Sequence, residues 1–295
     1  MKSQIKKIMA SIAICSIPSL VHAQSFALMS NDNYGSPQIM YMDDEAYPMT
    51  KLDTEQMRVL YTCELSFMEG KDKKIKMDCY LQIGEEWSKY VSWNRFNADS
   101  LLLLGGKQSL GRAKIYDKKA DFLFVEDCYY THLTDGKIIF TGRLAADDFL
   151  YEEDSPKLQW TITESTRQIG GYRCQLAKTS FRGREYRAWF TEEIPISSGP
   201  WKFQGLPGLI LQVEDSEKVV KIQAVSIDAG SKDIIKTAYP FIRVSRTQYA
   251  ELRKQMLQNP ILFCANHSSR SGWKVQITDP TAIRTLPMVQ FLEKQ

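Results

Sequence analysis

Residues 57–84 read MRVLYTCELSFMEGKDKKIKMDCYLQIG, and this stretch decides the fold class. Apolar and polar residues alternate on both sides of a polar, glycine-containing centre, which is the pattern of two half-buried antiparallel strands joined by a turn. Folding the stretch about Lys71 matches apolar residues or cysteines in pairs: Val59–Ile83, Tyr61–Leu81, Cys63–Cys79, Leu65–Met77 and Phe67–Ile75. Because Cys63 then lies opposite Cys79 on the buried face, we predict a disulfide between them, with two buried thiols as the alternative.

Two further hairpins are centred on glycine turns. An Asp-Gly turn joins strands predicted over 121–133 and 137–144, and an Arg-Gly turn joins strands predicted over 172–181 and 184–191. The acidic run 147–154 lies between the two hairpins, and its charge density predicts a solvated connection rather than a strand.

The C-terminal half adds another hairpin and the clearer of two helices. A turn at Ser216-Glu217 would place Val213 opposite Val220. A helix is predicted within 242–260, because Ser245 is a good N-cap residue and Gln248 completes a capping box.

Three shorter elements complete the tally. A short helix is predicted over 97–108, and short strands are predicted over 160–163 and 273–278. Consecutive hairpins with about two helices predict a mostly β, α+β fold, built on a curved antiparallel sheet that resembles half a barrel.

The N-terminus predicts export. Residues 1–7 contain three lysines, residues 8–20 are mostly apolar, and Val21-His22-Ala23 is a small-x-small cleavage site, so residues 1–23 are predicted to be a signal peptide. Residues 24–55 are predicted to be an extended lead-in, and residues 56–295 a single β-rich domain. We expect the mature chain to lie in the periplasm, at the outer membrane or outside the cell.

Removing the signal peptide changes the composition on which function classes depend. The formal charge of +3 becomes zero because three lysines leave and no acidic residue does, so no nucleic-acid partner is predicted. No later segment is long and apolar enough to predict a transmembrane span in the mature chain. Five cysteines and two histidines remain, in an oxidising compartment.

Few catalytic schemes fit this composition. His132 and His267 have no partner at metal-ligand spacing, and the common nucleophile and phosphate-binding motifs are absent. We therefore assign no catalytic residue, no metal site and no cofactor, and expect a non-enzymatic protein. Two alternatives stay open. One is an envelope hydrolase that uses carboxylates or a lone cysteine thiolate, and the other is copper(I) handling by an N-terminal methionine cluster, Met29, Met40, Met42 and Met49.

The segment 194–210, IPISSGPWKFQGLPGLI, is the most informative for function. Three prolines and three glycines give this long connection one defined shape, and Trp201 and Phe203 alternate, so their side chains can point the same way. Loops of this length are usually functional or cover a core. Two interpretations follow: a loop that contacts a ligand or partner, or a structural plug whose aromatic side chains close one end of the sheet.

This segment also carries a resemblance to a known family. It contains the six residues that give the GLPGLI family of secreted Bacteroidetes proteins its name, and the similarity extends through Ile169-Gly-Gly-Tyr172, Ala188-Trp-Phe190 and Gly199-Pro200. The six motif residues are Gly205, Leu206, Pro207, Gly208, Leu209 and Ile210.

The resemblance implies a secreted or periplasmic β-rich protein without an established activity and without agreed catalytic residues. Members of the family tend to be encoded near TonB-dependent receptors, which implies such a receptor or another envelope protein as a partner. A hydrophobic ligand is the other occupant that we expect. The residues predicted to make the contacts are Trp189, Trp201, Phe203 and Leu206.

Overall fold

A computed structural model describes residues 26–28, 38–40, 48–66, 74–93, 95–97, 99–100, 127–144, 147–238, 240–259, 262–263 and 266–267. Its strands are β1 (Phe26–Leu28), β2 (Gln38–Met40), β3 (Met49–Thr54), β4 (Met57–Ser66), β5 (Lys74–Ile83), β6 (Trp87–Ser92), β7 (Cys128–His132), β8 (Lys137–Leu144), β9 (Asp147–Asp154), β10 (Thr161–Ile169), β11 (Tyr172–Phe181), β12 (Arg184–Thr191), β13 (Leu209–Asp215), β14 (Val220–Ala229), β15 (Asp233–Thr237) and β16 (Ile242–Arg243). The helix α1 spans Arg246–Gln258.

Twelve of these strands form one sheet, in the order β10-β11-β12-β13-β14-β4-β5-β6-β7-β8-β9-β16. Neighbouring strands are antiparallel, except that β16 pairs with β9 in parallel. Two small sheets, β1-β2 and β3-β15, complete the described strands. The mostly β, α+β fold class is therefore confirmed.

The main core lies on one face of β4, β5 and β11–β14, and it includes side chains from the connection between β12 and β13. A second core packs α1 against β8 and β9. A third covers the opposite face of β6 and β7, around Val91, Cys128 and Tyr130. The middle of the sheet is thus buried on both faces, which explains why buried and exposed residues do not alternate along β6.

The predicted β4–β5 pairing is in the wrong register. Cys63 lies opposite Met77, and Cys79 lies opposite Tyr61, two residues away from the predicted match. A shift of two residues keeps every side chain on its own face, so the alternation alone cannot distinguish the two registers. Both thiols are buried, and none of the described cysteines, Cys63, Cys79, Cys128 and Cys174, is disulfide-bonded. The predicted Cys63–Cys79 bridge is therefore wrong in this structure.

The β13–β14 hairpin shows the same two-residue error, and here its cause is visible. Val213 pairs with Ile222 rather than with Val220. Asp215 Oδ1 accepts hydrogen bonds from the backbone N–H groups of Val219 and Val220 at 2.7 and 2.9 Å. This side-chain cap lengthens the turn and sets the register.

The acidic run 147–154 is strand β9, so its prediction as a solvated connection was wrong. Phe149 and Tyr151 enter the second core, and the flanking acids are neutralised by partners distant in sequence. Arg182 and Lys202, for example, lie 2.9 and 2.6 Å from the carboxylate oxygens of the largely buried Glu153. Paired carboxylates can be buried at much lower cost than isolated ones, so charge density alone misled the prediction.

The C-terminal helix is confirmed together with its capping box, in which Ser245 and Gln248 bond reciprocally. The Asp-Gly and Arg-Gly hairpins are also confirmed. The predicted 160–163 strand lengthens into β10. Of the predicted 97–108 helix, residues 97 and 99–100 are helical. Residues 1–23, 101–108, 121–126 and 273–278 lie outside the described residues. Within the described part, no helix is both long and apolar enough to cross a membrane.

Candidate functional site

Residues 194–208, which form most of the connection between β12 and β13, pack their aromatic side chains into the main core. We call this segment the plug loop. Trp201, Phe203 and Leu206 are only 5%, 1% and 1% exposed. The Phe203 ring meets the Tyr186 and Trp201 rings edge-on, with centroids 4.8 and 5.3 Å apart. Three of the four predicted contact residues are therefore brought together, and they are covered by the protein's own side chains.

The backbone of the plug loop is held in one shape by strained positions and close packing. Trp201 has a φ of 57° and Gly205 a φ of 92°, and only glycine adopts such values without strain. A Cβ on Gly208 would lie 2.0 Å from the carbonyl oxygen of Thr191. The loop also bonds to itself, because the Phe203 N–H donates to Pro200 O at 3.1 Å.

Trp189, the fourth predicted contact residue, lies on β12 outside the plug loop and is partly exposed. It alternates along β12 with Ala188 and Phe190, which are fully buried in the core, and its own side chain packs against the same core while staying partly exposed. The guanidinium of Arg167 lies over the Trp189 ring, 4.0 Å from its centroid. Arg167 also donates from Nη2 to Gln212 Oε1 at 2.6 Å, and burial lowers its pKa. We call this surface the Trp189 face; it consists of Arg167, Arg187, Trp189, Gln212 and Glu214.

A buried ion pair ties the plug loop to β9. Lys202 Nζ lies 2.6 Å from Glu153 Oε1, although off the direction of a hydrogen bond, and donates to the Tyr151 hydroxyl at 3.5 Å. Its ammonium group also lies 5.2–5.7 Å from the ring centroids of Tyr129, Tyr151 and Trp201. Lys202 is 1% exposed, so the cation is held by three aromatic rings and one carboxylate instead of water.

Two arginines from other elements reach the same carboxylate. Arg182, in the β11–β12 turn, donates to Glu153 Oε2 at 2.9 Å. Arg246, the first residue of α1, lies 3.8 Å from the same oxygen. The group of Glu153, Arg182, Lys202 and Arg246 is called the Glu153 cluster below.

A second buried pair lies beside this cluster. Arg253 Nη2 donates to both carboxylate oxygens of Asp127, at 2.5 and 2.6 Å. Burial alone would lower the pKa of Arg253, but the Asp127 carboxylate raises it above its ordinary value, so this side chain stays charged. Burial raises the pKa values of Tyr129 and Tyr249, which keeps both hydroxyls neutral. These groups form a polar network between the main core and the second core.

Two of the four described thiols, those of Cys63 and Cys174, are poor nucleophiles. Burial raises the pKa of Cys174 to about 11 and the pKa of Cys63 well above its ordinary value, so both are protonated at neutral pH. Among the residues that the structure describes, no group of three or more His, Cys, Asp or Glu side chains could hold a metal ion.

Sequence reasoning found the plug loop and missed the groups that anchor it. Lys202 lies inside the quoted segment, but a lysine in a polar loop is usually solvated, and its burial depends on Glu153 in a misassigned strand. Arg167 gave no signal either, because its stacking on Trp189 follows from the β10–β11 and β11–β12 pairings and not from spacing along the chain. The contact of Trp189, Trp201, Phe203 and Leu206 with a ligand or partner stays a prediction.

The comparisons with known proteins reach only part of the chain. Residues 182–212, which span β12, the plug loop and the start of β13, match a family model described as "Protein of unknown function (Porph_ging)". No protein in the curated collection matches the chain.

Among solved structures, the chain is similar to PNGF-II in space groups P21 and C2. The identities are 14% and 16%, and the TM-scores are 0.46 and 0.44. The alignments cover 69% and 68% of this chain but 34% and 33% of those chains, so the chain spans about a third of their length. No activity is transferred from this similarity.

Proposed function

We propose that this chain is an exported envelope protein that binds a protein partner without catalysis, through the Trp189 face. The observation that carries the proposal is the position of Trp189, which lies partly exposed beneath the Arg167 guanidinium. Trp and Arg are the residues most enriched among energetically dominant contacts in protein interfaces. A stacked pair of the two on a sheet surface is therefore a suitable centre for an interface.

The shape of the molecule favours a protein over a small hydrophobic ligand. Small-molecule sites are concave and apolar. The core face of the sheet is occupied by Trp201, Phe203 and Leu206 of the plug loop, so an apolar ligand would have to displace them. A protein needs no such displacement at the Trp189 face, because Arg167, Arg187, Trp189 and Glu214 are already partly exposed there.

The charges of this face indicate the chemistry of the partner. Arg167 and Arg187 flank Trp189, and Lys178 is exposed and lies opposite Arg187 in the β11–β12 register. Glu214 pairs with Arg187 at 3.1 Å. Cations exceed carboxylates among these groups, so we expect an acidic surface on the partner.

The resemblance to the GLPGLI family supports the compartment and the class of partner. Family members tend to be encoded near TonB-dependent receptors, so an outer-membrane receptor or a neighbouring envelope protein is the partner that we propose. Membership of that family, the signal peptide over residues 1–23 and the envelope location are parts of the same proposal. The hydrolase alternative gains no support from the Cys63 and Cys174 thiols, whose pKa values are raised.

Site-specific photo-crosslinking in intact cells tests this function. A photoreactive side chain placed at Lys178 should crosslink one discrete protein, and the product should disappear when Trp189→Ala is added. A matched probe at Val225, which is 62% exposed on β14, should give no such product. Loss of the product only when Trp189 is absent supports the proposal. A product that persists in Trp189→Ala, or that appears equally at Val225, overturns it.

A further inference from the structure

The large sheet ends at β10 on one side and at β16 on the other. Strand β16 spans two residues and leads into α1, and such a short strand is one of the devices that protect a sheet edge. Strand β10 is nine residues long, contains neither proline nor lysine, and pairs with β11 on one side. Within the described part of the chain, no strand pairs with its other side, which we call the free edge.

The geometry of the β10–β11 hairpin shows which backbone groups face outward at the free edge. The two glycines of the turn at 170–171 have φ values of 59° and 90°, which are typical of a two-residue type I′ turn. Ile169 and Tyr172 close this turn as a hydrogen-bonded pair, and such pairs alternate with non-bonded pairs along an antiparallel ladder. The N–H and C=O groups of Gln168 and Thr166 therefore point away from β11.

A bulge limits the regular part of the free edge. The register with β11 shifts between Ile162 and Thr166. Inside the bulge, the Thr163 hydroxyl donates to Leu176 O at 3.1 Å, which holds this part of β10 against β11. Residues 166–169 therefore form the regular part of the free edge.

This part of the free edge is suited to a polypeptide backbone. Thr166 and Gln168 are both exposed, and no described backbone group bonds their outward N–H and C=O groups. In an antiparallel segment, one residue bonds both groups of Thr166, and the residue two positions away bonds both groups of Gln168. Addition of a strand to an exposed sheet edge is a recurring mode of peptide recognition.

Arg167 joins the free edge to the Trp189 face. It lies between Thr166 and Gln168, and its guanidinium lies 4.0 Å from the centroid of the Trp189 ring. Its hydrogen-bond partner Gln212 is neutral, and its Nε has no partner within the described structure. In an added strand, the Cβ atom opposite Arg167 would lie about 5.5 Å or less from the Arg167 Cβ, so an acidic side chain there would reach the guanidinium.

We propose that the protein partner binds by adding an extended segment of its own chain to the free edge of β10. The segment bonds the backbone of Thr166 and Gln168, and it places an acidic side chain opposite Arg167. This inference rests on the proposed binding of a partner at the Trp189 face, and it names the part of the partner that is bound.

Proline tests the backbone contact, because it has no N–H and is tolerated at an edge where that N–H faces outward. Gln168→Pro removes an outward N–H and no bond to β11, whereas Gln168→Thr keeps the N–H and changes only the side chain. The Trp189-dependent crosslinked product from the Lys178 probe should be about tenfold weaker in Gln168→Pro than in Gln168→Thr. Thr166→Pro and Thr166→Val form a second pair, and a thermal melt shows which variants are folded.

Mapping of the crosslinks tests the extended conformation of the bound segment. Photoreactive probes placed singly at Thr166 and Gln168 should reach partner residues about two positions apart in one segment, as mass spectrometry of the digested products would show. Strand addition is overturned if folded proline variants keep the Lys178 product, or if the probes reach separate partner segments, a second copy or the same chain. The proposed function then stands as long as the product depends on Trp189. Absence of any Trp189-dependent product in wild type overturns both.

Discussion

Replacing Phe203 by Ala tests whether the plug loop is part of the core. The ring is 1% exposed and packs against the rings of Tyr186, Trp201 and Trp160, with centroids 4.8, 5.3 and 6.3 Å away. Removing a buried Phe side chain costs about 3–5 kcal/mol, because transfer free energy is lost and a cavity remains. That is a large part of the ~5–15 kcal/mol by which a domain is usually stable.

Urea unfolding followed by far-ultraviolet circular dichroism measures the change. Fluorescence is unsuitable, since Trp160 and Trp201 lie beside the mutated site. The melting temperature should fall by about 6–20 °C, taking about 2–4 °C per kcal/mol for a domain of this size. Ile162→Ala is the control: this side chain is 45% exposed on β10, and its loss should change the free energy of unfolding by less than about 0.5 kcal/mol. Equal effects of the two substitutions would refute the packing of the plug loop.

Three further predictions follow from close packing and from charge. Gly208→Ala should destabilise the protein strongly or prevent folding, because its Cβ would lie 2.0 and 2.6 Å from Thr191 backbone atoms. A thermal melt measures the effect, and wild-type stability of the variant would contradict this packing. Burial alone would raise the pKa of Asp99, but Arg95 and Lys89 lower it below its ordinary value. The folded state then binds fewer protons, so this stability is present above about pH 4 and is lost as pH falls through the lowered pKa. Asp99→Asn should lower the urea midpoint at neutral pH and reduce its acid dependence, and an unchanged acid dependence would count against the pairing. Burial raises the pKa of Cys174 to about 11, so iodoacetamide should alkylate this thiol slowly in the folded protein and rapidly in urea. Mass spectrometry measures both rates. Rapid labelling of the folded protein would support the alternative of a hydrolase that uses a cysteine thiolate.

The sequence predicts local elements well because they depend on neighbours along the chain. The capping box at Ser245 and Gln248 and the turn at Arg182-Gly183 are encoded within four residues, and both are present. The β4–β5 register depends on turn geometry that alternation does not report, and it was wrong by two residues.

The candidate site is less predictable, because its parts are distant in sequence. Trp201 and Phe203 could be located in one loop, but the pattern did not decide between contact and plug. The Lys202–Glu153 pair joins residues 49 positions apart. Glu153 belongs to the acidic run whose charge density led to the prediction of a solvated connection instead of β9. The same carboxylate anchors the plug loop through Lys202. The composition of a short segment does not show whether its charged side chains are neutralised by residues distant in sequence.

The most direct test compares Trp189→Ala with Phe203→Leu in one crosslinking experiment, with the photoreactive probe at Lys178 in both. Phe203→Leu keeps an apolar side chain, so the protein should stay folded with a lower melting temperature. Phe203→Leu should keep the crosslinked partner despite its lower stability, while Trp189→Ala should stay folded and lose the partner. The opposite result, loss of the partner in folded Phe203→Leu and its retention in Trp189→Ala, would show that the plug loop is the contact surface and would contradict the account.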